Sequence, residues 1–564
     1  MLKVYKQTGV FLLFSILSST GLIAQQNLQD KLDAFTARLV TNIRDQSRPQ
    51  AFLTADKSIY KTGESIWFNA LLLNSISQKI TTKTKYVFVD LVNDEDSIIV
   101  SVLLDAARQQ LSSKIVIPDA ISTGHYWLRA YTMQMIAVDS NLSSVKPIYI
   151  FNTSTEPEDK INRAKNNKAN VDGKPLINFF PEGGNVITGA NSKVIVSVAD
   201  DKGKPIAVEG VIKDSRDSIV TRFSASETGL GQFEYEPARV RQYKAFIKWK
   251  GQEYSYPLPA FNFKAGRLSI ASNANNNRLM RVLLEDSIYS NNFLSYVVGI
   301  AKDSLCFASI GKGQYEFNIP DEKLPAGITT LYLLDSNFNL LSERSVYNRE
   351  NAFTINGSVD KKNPEPNQAV AMNVSMTNNE KTVSTILNVR VTDSLSADVA
   401  ETCRLSAVNK INSESFNNYF LSHLTCLSEA ELDMLMLLCK TDLYKNNKDV
   451  LGVDNSSDSI LDISGIALVD KDHPAANTVI TLLSNSGNGL FATDTTDNSG
   501  KFYFNVDGYM DNTEFSLNTK TAAGKKQVKF IVNPLKWPKF KTPAVFKQQL
   551  IPEASLKKFR SIYA

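Results

Sequence analysis

Three histidines, His125, His423 and His473, are all the imidazole that this chain of 564 residues carries. Imidazole is the side chain best suited to proton transfer near neutral pH and the commonest metal ligand, so the setting of each one matters. His125 lies in an alternating run of strand type, His423 in a helical stretch, and His473 directly before Pro474 in a turn. None belongs to an H-E-x-x-H pair, and each is assigned a structural role. The four cysteines, Cys306, Cys403, Cys426 and Cys439, lack the close pairs of a zinc site. They are expected to be buried free thiols, with a single bridge as the alternative.

No G-x-S-x-G elbow and no G-x-x-x-x-G-K-[ST] phosphate loop occurs. The stretch Asp494 to Gly500 (DTTDNSG) offers carboxylates and an amide oxygen near a glycine, as calcium loops do. It lacks their spacing and their downstream bidentate glutamate. A hairpin turn, with Asp497 bonding its own backbone and Gly500 closing it, accounts for the same residues. Glu64 and Glu182 stand beside turn glycines and are expected to accept backbone N–H bonds rather than to form a catalytic pair. No catalytic residue, metal ligand or cofactor is assigned, and the expectation is a protein that is not an enzyme.

The one patch where charge concentrates is the tail. From Lys536 to Ala564 seven basic residues face Glu553 alone, a net of +6 against +4 for the whole chain, so the residues before it sum to −2. Trp537, Phe540, Phe546, Phe559 and Tyr563 interleave with them, and Pro534, Pro538, Pro543 and Pro552 keep much of the segment extended. Basic and aromatic side chains together suit a protein groove or an anionic membrane surface. The candidate partner-docking residues are Trp537, Lys539, Phe540, Lys541, Phe546, Lys557, Lys558, Phe559 and Arg560. The equal alternative is a tail that wraps its own last domain.

The elements that would position these groups are mostly strands. Residues 1–24 combine Lys3 and Lys6 with an apolar run that ends at Ala24, as a signal peptide does, with an uncleaved membrane anchor as the alternative. Residues 25–49 place Leu28, Leu32, Phe35, Leu39 and Ile43 on one helical face. Period-two patterning then begins. In DKSIYKTGESIWFNALLLN (56–74), Gly63 provides the turn, Ile66, Phe68, Ala70 and Leu72 form one face, and Trp67 is expected to pack on the other.

Sandwiches are expected over 50–152, 175–261 and 262–350, with a polar linker at 153–174 and strands of a fourth sandwich at 351–399. A helical segment follows at 400–460, in which Ser428 and Glu431 have capping-box spacing. Residues 461–533 form a last compact sandwich and 534–564 the tail. IPDEKLPAGITTLYLLD (319–335) repeats the Ile-Pro-Asp, glycine, strand order of IPDAISTGHYWLRAYT (117–132), which points to a repeated β-sandwich module. The fold class is mainly β. An apolar fraction of 43% and a charged fraction of 21% are those of a globular chain, and so small a net charge excludes a nucleic-acid binder.

DKSIYKTGESIWFNALLL with GHYWLRAYT resembles the macroglobulin-type second domain (MG2) of exported Bacteroidota proteins. FFPEGGNVITG and GLGQFEYEP match the module that follows it there, and LDMLMLLCKTDLY is similar to their helical segment. GIALVDKDHPAANTVITLL with TTDNSGKFYF resembles the carboxypeptidase-regulatory-like fold, a small transthyretin-like sandwich. In such proteins that sandwich often precedes the plug of a TonB-dependent outer-membrane receptor. No plug or barrel follows here, so the chain is not expected to be a transporter itself.

The resemblance implies a non-enzymatic cell-envelope binding or scaffold protein, exported to the periplasm or the outer membrane and accessory to a receptor or assembly complex. Its partner would be an outer-membrane or periplasmic protein, with peripheral membrane contact through the tail. The alternative is a macroglobulin-like, protease-interacting defence protein. It would lack a thioester, because no Cys-Gly-Glu-Gln segment occurs.

Overall fold

The computed structural model describes residues 26–152, 173–382, 409–411, 428–441, 462–506, 514–519, 528–533, 538–543, 551 and 556–557, with short breaks inside the longer ranges. The expected leader, nearly all of the linker and most of the 400–460 segment lie outside the described residues. The chain forms two compact units. One comprises Met1–Ser47, Asn166–Leu387 and Glu401–Val450, and the other Arg48–Lys165, Asn388–Ala400 and Leu451–Ala564.

Helix α1 (residues 26–45) buries Leu32, Leu39 and Ile43, the stripe its periodicity requires. The first sandwich follows, with strands β1 (Pro49–Ala55), β2 (Ile59–Lys61), β3 (Ser65–Asn74), β4 (Tyr86–Val92), β5 (Ile98–Asp105), β6 (Leu111–Val116), β7 (Gly124–Tyr131) and β8 (Ser144–Phe151). One sheet runs β1-β3-β6 and the other β5-β4-β7-β8, with short β2 added in parallel at β8. Ile66, Phe68, Ala70 and Leu72 are all buried, and each of the larger ones contributes roughly 1.5–3 kcal/mol of apolar burial.

The same register corrects the expectation for Trp67. Trp67 is 56% exposed, because a strand that turns Ile66 and Phe68 inward must turn residue 67 outward. Lys114 Nζ lies 5.2 Å over it. The Tyr60–Glu64 cluster is a corner. Gly63 has φ +81°, Glu64 Oε2 accepts from the Lys61 N–H (3.0 Å) and Lys57 Nζ (3.1 Å), and the Tyr60 hydroxyl donates to Asp56 Oδ1 (2.6 Å).

The second sandwich comprises β9 (Leu176–Pro181), β10 (Ser192–Ala199), β11 (Val208–Asp214), β12 (Ile219–Ala225), β13 (Leu230–Tyr235), β14 (Tyr243–Trp249) and β15 (Gln252–Pro257). Its order is β9-β10-β13-β12-β11-β14-β15. Strands β12 and β13 share only the pair Ala225↔Gly231, so the sheet folds there into three- and four-strand layers around Val194, Val196, Ile212, Phe233 and Ala245.

The third sandwich has β16 (Gly266–Ala274), β17 (Asn277–Leu284), β18 (Leu294–Ala301), β19 (Ser304–Lys312), β20 (Tyr315–Pro320), β21 (Gly327–Asp335) and β22 (Leu340–Asn348). They pair as β16-β17-β20 and β19-β18-β21-β22. Phe338 follows β21 and stacks on Phe35 of α1 at 4.1 Å, so within this unit the N-terminal helix rests on the third sandwich.

Leaving β2 aside, all three sandwiches share one order. The first, second and fifth strands form one layer, and the fourth, third, sixth and seventh form the other. The repeated Ile-Pro-Asp segments occupy equivalent places in it, at the end of the fifth strand and the start of the connection to the sixth.

Strands β23 (Phe353–Val359), β24 (Met372–Asn378) and β25 (Lys381–Thr382) form an antiparallel sheet. Strand β26 (Asn409–Ile411) then pairs with β27 (Cys439–Thr441), and helix α2 (Glu429–Leu438) lies between them in the sequence. Its capping box is present: Ser428 Oγ accepts from the Glu431 N–H (3.3 Å) and Glu431 Oε2 from the Ser428 N–H (2.8 Å).

The last sandwich consists of β28 (Asp462–Leu468), β29 (Val479–Ser484), β30 (Phe491–Thr495), β31 (Lys501–Asn505), β32 (Phe515–Thr519) and β33 (Lys529–Val532). Its layers, β31-β28-β33 and β30-β29-β32, close on Ala467, Ile480, Leu482, Phe502 and Phe504. The Asp497 turn forms as its residue types require, with Oδ1 accepting from Ser499 and Lys501 at 2.8 and 2.9 Å. Among the described residues no helix is long and apolar enough to cross a membrane.

Candidate functional site

Among the buried charged side chains of the described residues, Arg129 and Arg344 are the least exposed arginines, each 1% exposed. Each sits in a strand of a four-stranded layer and holds a segment distant in sequence.

Arg344, on β22, is 1% exposed. Its Nε donates to Glu182 Oε1 at 3.0 Å, another guanidinium N–H donates to Asp433 of α2, and Nη1 donates to the Ser345 carbonyl at 2.5 Å. Glu182 also accepts from the Ile270 N–H at 3.1 Å, a backbone bond as expected, though from the third sandwich and not from its own turn. The Pro181-Glu182-Gly183-Gly184 sequence makes this placement feasible. Gly183 has φ +69°, and a Cβ there would come within 2.8 Å of the Leu268 carbonyl and 2.6 Å of Ser342 Oγ, so only glycine fits.

Asp433 accepts a second cation, Lys193 Nζ, at 3.0 Å. Burial alone would raise the Asp433 carboxyl, but Arg344 and then Lys193 outweigh it and hold it below the usual carboxylate range. Burial likewise disfavours the charged Arg344, and Asp433 and Glu182 more than restore it. Leu432, Leu435 and Met436 of α2 pack on Ile195 and Leu230 of the second sandwich. The helix, the turn and both sandwiches therefore meet at one guanidinium.

Beside it lies a pocket of about 80 Å³ lined by Phe180, Gly184, Glu343, Arg344, Met436 and Cys439 among others, enough for a few water molecules. Cys439 is buried and free, and Cys306 is half-buried and free. Burial pushes the Cys439 thiol up to about 12 and the Cys306 thiol up to about 11, so neither supplies a thiolate at neutral pH. Cys403, Cys426 and His423 lie outside the described residues. His125 is on β7, edge-on to Tyr149, and the His473 carbonyl closes a turn with the Val469 N–H. Among the described residues no group of three His, Cys, Asp or Glu could hold a metal ion.

Arg129, on β7, is also 1% exposed. It donates to Asp90 Oδ2 through Nη2 and Nε at 3.0 and 3.1 Å. Asp90 further accepts from the hydroxyls of Tyr131 (2.7 Å) and Ser101 (2.5 Å). The remaining arm, Nη1, donates to the Phe540 carbonyl at 2.7 Å and to Thr542 Oγ1 at 3.3 Å. The Phe540 ring lies 4.9 Å from the guanidinium carbon and 4.8 Å from the Tyr131 ring, and the Thr542 N–H reaches Asp96 Oδ1 at 3.2 Å.

The tail thus lies on the first sandwich. Pro538, Phe540 and Thr542 are buried while Lys539 and Lys541 are exposed. Ile551 and Leu556 join Ile59 and Tyr149 in a further cluster, and Lys557 is exposed. This corrects the expectation for Phe540, whose ring is used by its own chain. Among the described residues of the tail, the contacts shown are with the first sandwich. Trp537, Phe546, Lys558, Phe559 and Arg560 lie outside the described residues.

Sequence reasoning passed over Arg129, Arg344, Asp90 and Asp433. The signal was there: an arginine inside an apolar strand run, as in YWLRAY, must find buried partners. The strict alternation of Pro538 to Thr542 likewise marks a segment with one face covered.

No family model matches the chain, and no curated protein matches it. Among solved structures, it is similar to native Escherichia coli alpha-2-macroglobulin at 9% identity and a TM-score of 0.16, over 58% of this chain and 25% of that one. Salmonella alpha-2-macroglobulin reacted with methylamine matches at 10% identity and a TM-score of 0.16, over 86% and 30%. Dimeric latent PorU from Porphyromonas gingivalis matches at 9% identity and a TM-score of 0.22, over 53% and 33%. The chain spans between a quarter and a third of the length of these macroglobulins.

Proposed function

We propose that this chain is a non-enzymatic binding or scaffold protein of the bacterial cell envelope, exported and accessory to an outer-membrane receptor or assembly complex. The observation that supports this best is the use of the buried charge. Arg344 ties a turn, a strand and a helix into one block, and its partners are fully engaged in holding segments together. A scaffold needs that rigidity, with its partner surface outside the clasp.

The outward lysines of the tail, Lys539, Lys541 and Lys557, are the described part of that surface and suit an acidic partner. Trp537, Phe546, Lys558, Phe559 and Arg560 remain part of the same proposal.

The test is capture of partners from native envelopes by the tagged mature chain, with identification by mass spectrometry across a salt series. One envelope protein should co-purify and be lost as salt rises, since exposed charges are screened within about 10 Å at 0.1 M ionic strength. Recovery of proteases instead would favour the macroglobulin-like defence reading, and no enrichment over a tag control would sink both.

A further inference from the structure

The tail contacts on the first sandwich are built in a particular way. Both hydrogen-bonding backbone groups of the segment, the Phe540 carbonyl and the Thr542 N–H, are met by side chains of the sandwich, Arg129 and Asp96. Within the described residues 538–543, two side-chain features meet this part of the sandwich: an aromatic ring on Arg129 and Tyr131, and a hydroxyl two residues later on Arg129 Nη1. Arg129 and Tyr131 do not depend on the tail for their positions. Asp90 holds Arg129 through two N–H bonds and is itself held by Tyr131 and Ser101, all on β4, β5 and β7. The Arg129–Tyr131 part of the site is therefore preorganised by its own sandwich, and the contacts that hold its occupant there are all non-covalent.

We propose that Asp90, Asp96, Arg129 and Tyr131 form a recognition slot for an extended peptide segment carrying an aromatic residue followed two positions later by Thr or Ser. The chain's own tail is the resident ligand, exchangeable for the same segment supplied in trans. The proposal goes beyond the scaffold reading and does not rest on it. A tethered segment competes at an effective concentration in the millimolar range, so the slot is closed to weak outside ligands while the tail is in place.

The test uses the full chain with a protease site inserted after Asn533, cut after folding, and a synthetic peptide of residues 534–564. The cut tail should stay with the body on size exclusion and be displaced by excess peptide, at least tenfold more effectively than by the same peptide with Phe540→Ala. In the uncut Phe540→Ala chain, fluorescently labelled wild-type peptide should bind at least tenfold more tightly than to the native chain. A cut tail that resists a hundredfold excess of peptide, or equal displacement by both peptides, would overturn the exchangeable slot. Equal binding of labelled peptide to native and variant chains, or to neither, would overturn it independently of the cleavage.

Discussion

Arg129 and Arg344 are the same device at two strengths. Both are 1% exposed, both sit in a four-stranded layer of sandwiches with one strand order, and both hold a segment that arrives much later in the chain. The difference lies in what the late segment brings. Helix α2 brings a carboxylate, Asp433, so Arg344 is shared between two full negative charges. The tail brings a carbonyl, a hydroxyl and a ring, all neutral, and the charge of Arg129 is already met inside its own sandwich by Asp90 and, at 3.6 Å, by Asp96.

Breaking a buried charge pair on one side leaves the partner desolvated and uncompensated, whereas losing a neutral acceptor forfeits one charge-assisted bond, whose donor water can meet once the segment has left. The helix should therefore be a permanent part of its unit, and the tail a removable one.

The largest test of that contrast is Arg344→Met against Arg129→Met. The first strands Glu182 and Asp433 and should cost about 4 kcal/mol. The second strands chiefly Asp90, which keeps its Tyr131 and Ser101 donors, and should cost about 3 kcal/mol. Urea unfolding of each variant measures this, and a reversed order would break the comparison.

The next effect is conditional on pH. The folded Asp433 carboxyl lies below its usual range, so its contribution is complete above about pH 4, the ordinary carboxylate value, and is lost as pH falls through the lower folded value. Melting followed from pH 7 down to pH 3 should show a loss that Asp433→Asn has already suffered at neutral pH.

Phe540→Ala should cost about 2 kcal/mol, less than a core Phe→Ala because the segment can detach. The same melts, monitored with a tail-deleted chain alongside, should give the two variants nearly equal stability. An unchanged midpoint would mean that the tail contributes nothing to the first sandwich.

Gly63→Ala forces a φ of +81° on a residue with a Cβ, 3.1 Å from Asp119 Oδ1, and should cost about 1 kcal/mol. Trp67→Ala removes a ring that is mostly in water and should change stability by less than about 0.5 kcal/mol. Its fluorescence, isolated by replacing the other tryptophans, should be solvent-like. A blue-shifted maximum would mean that this face is covered in solution.

What the sequence by itself determined is whatever depends on neighbours in the chain. Period two turned Ile66, Phe68, Ala70 and Leu72 to one side, and it would have turned Trp67 outward had the rule been applied to it as strictly. The capping box at Ser428, the Asp497 turn and the corner at Gly63 follow from residue types a few positions apart, because their hydrogen bonds are local. The repeated Ile-Pro-Asp segment was legible too, and the shared strand order supplies its reason.

Only the tertiary structure decided which sandwich the tail covers, which helix answers Arg344, and that α1 rests on Phe338. Composition marked the tail as sticky, and a basic, aromatic segment looks the same whether it meets a partner or its own first domain. Arg129 and Phe540 are joined across 411 positions. A contact of that span leaves no periodic trace in either segment, since it is specified by shape and charge on two surfaces that exist only after each has folded.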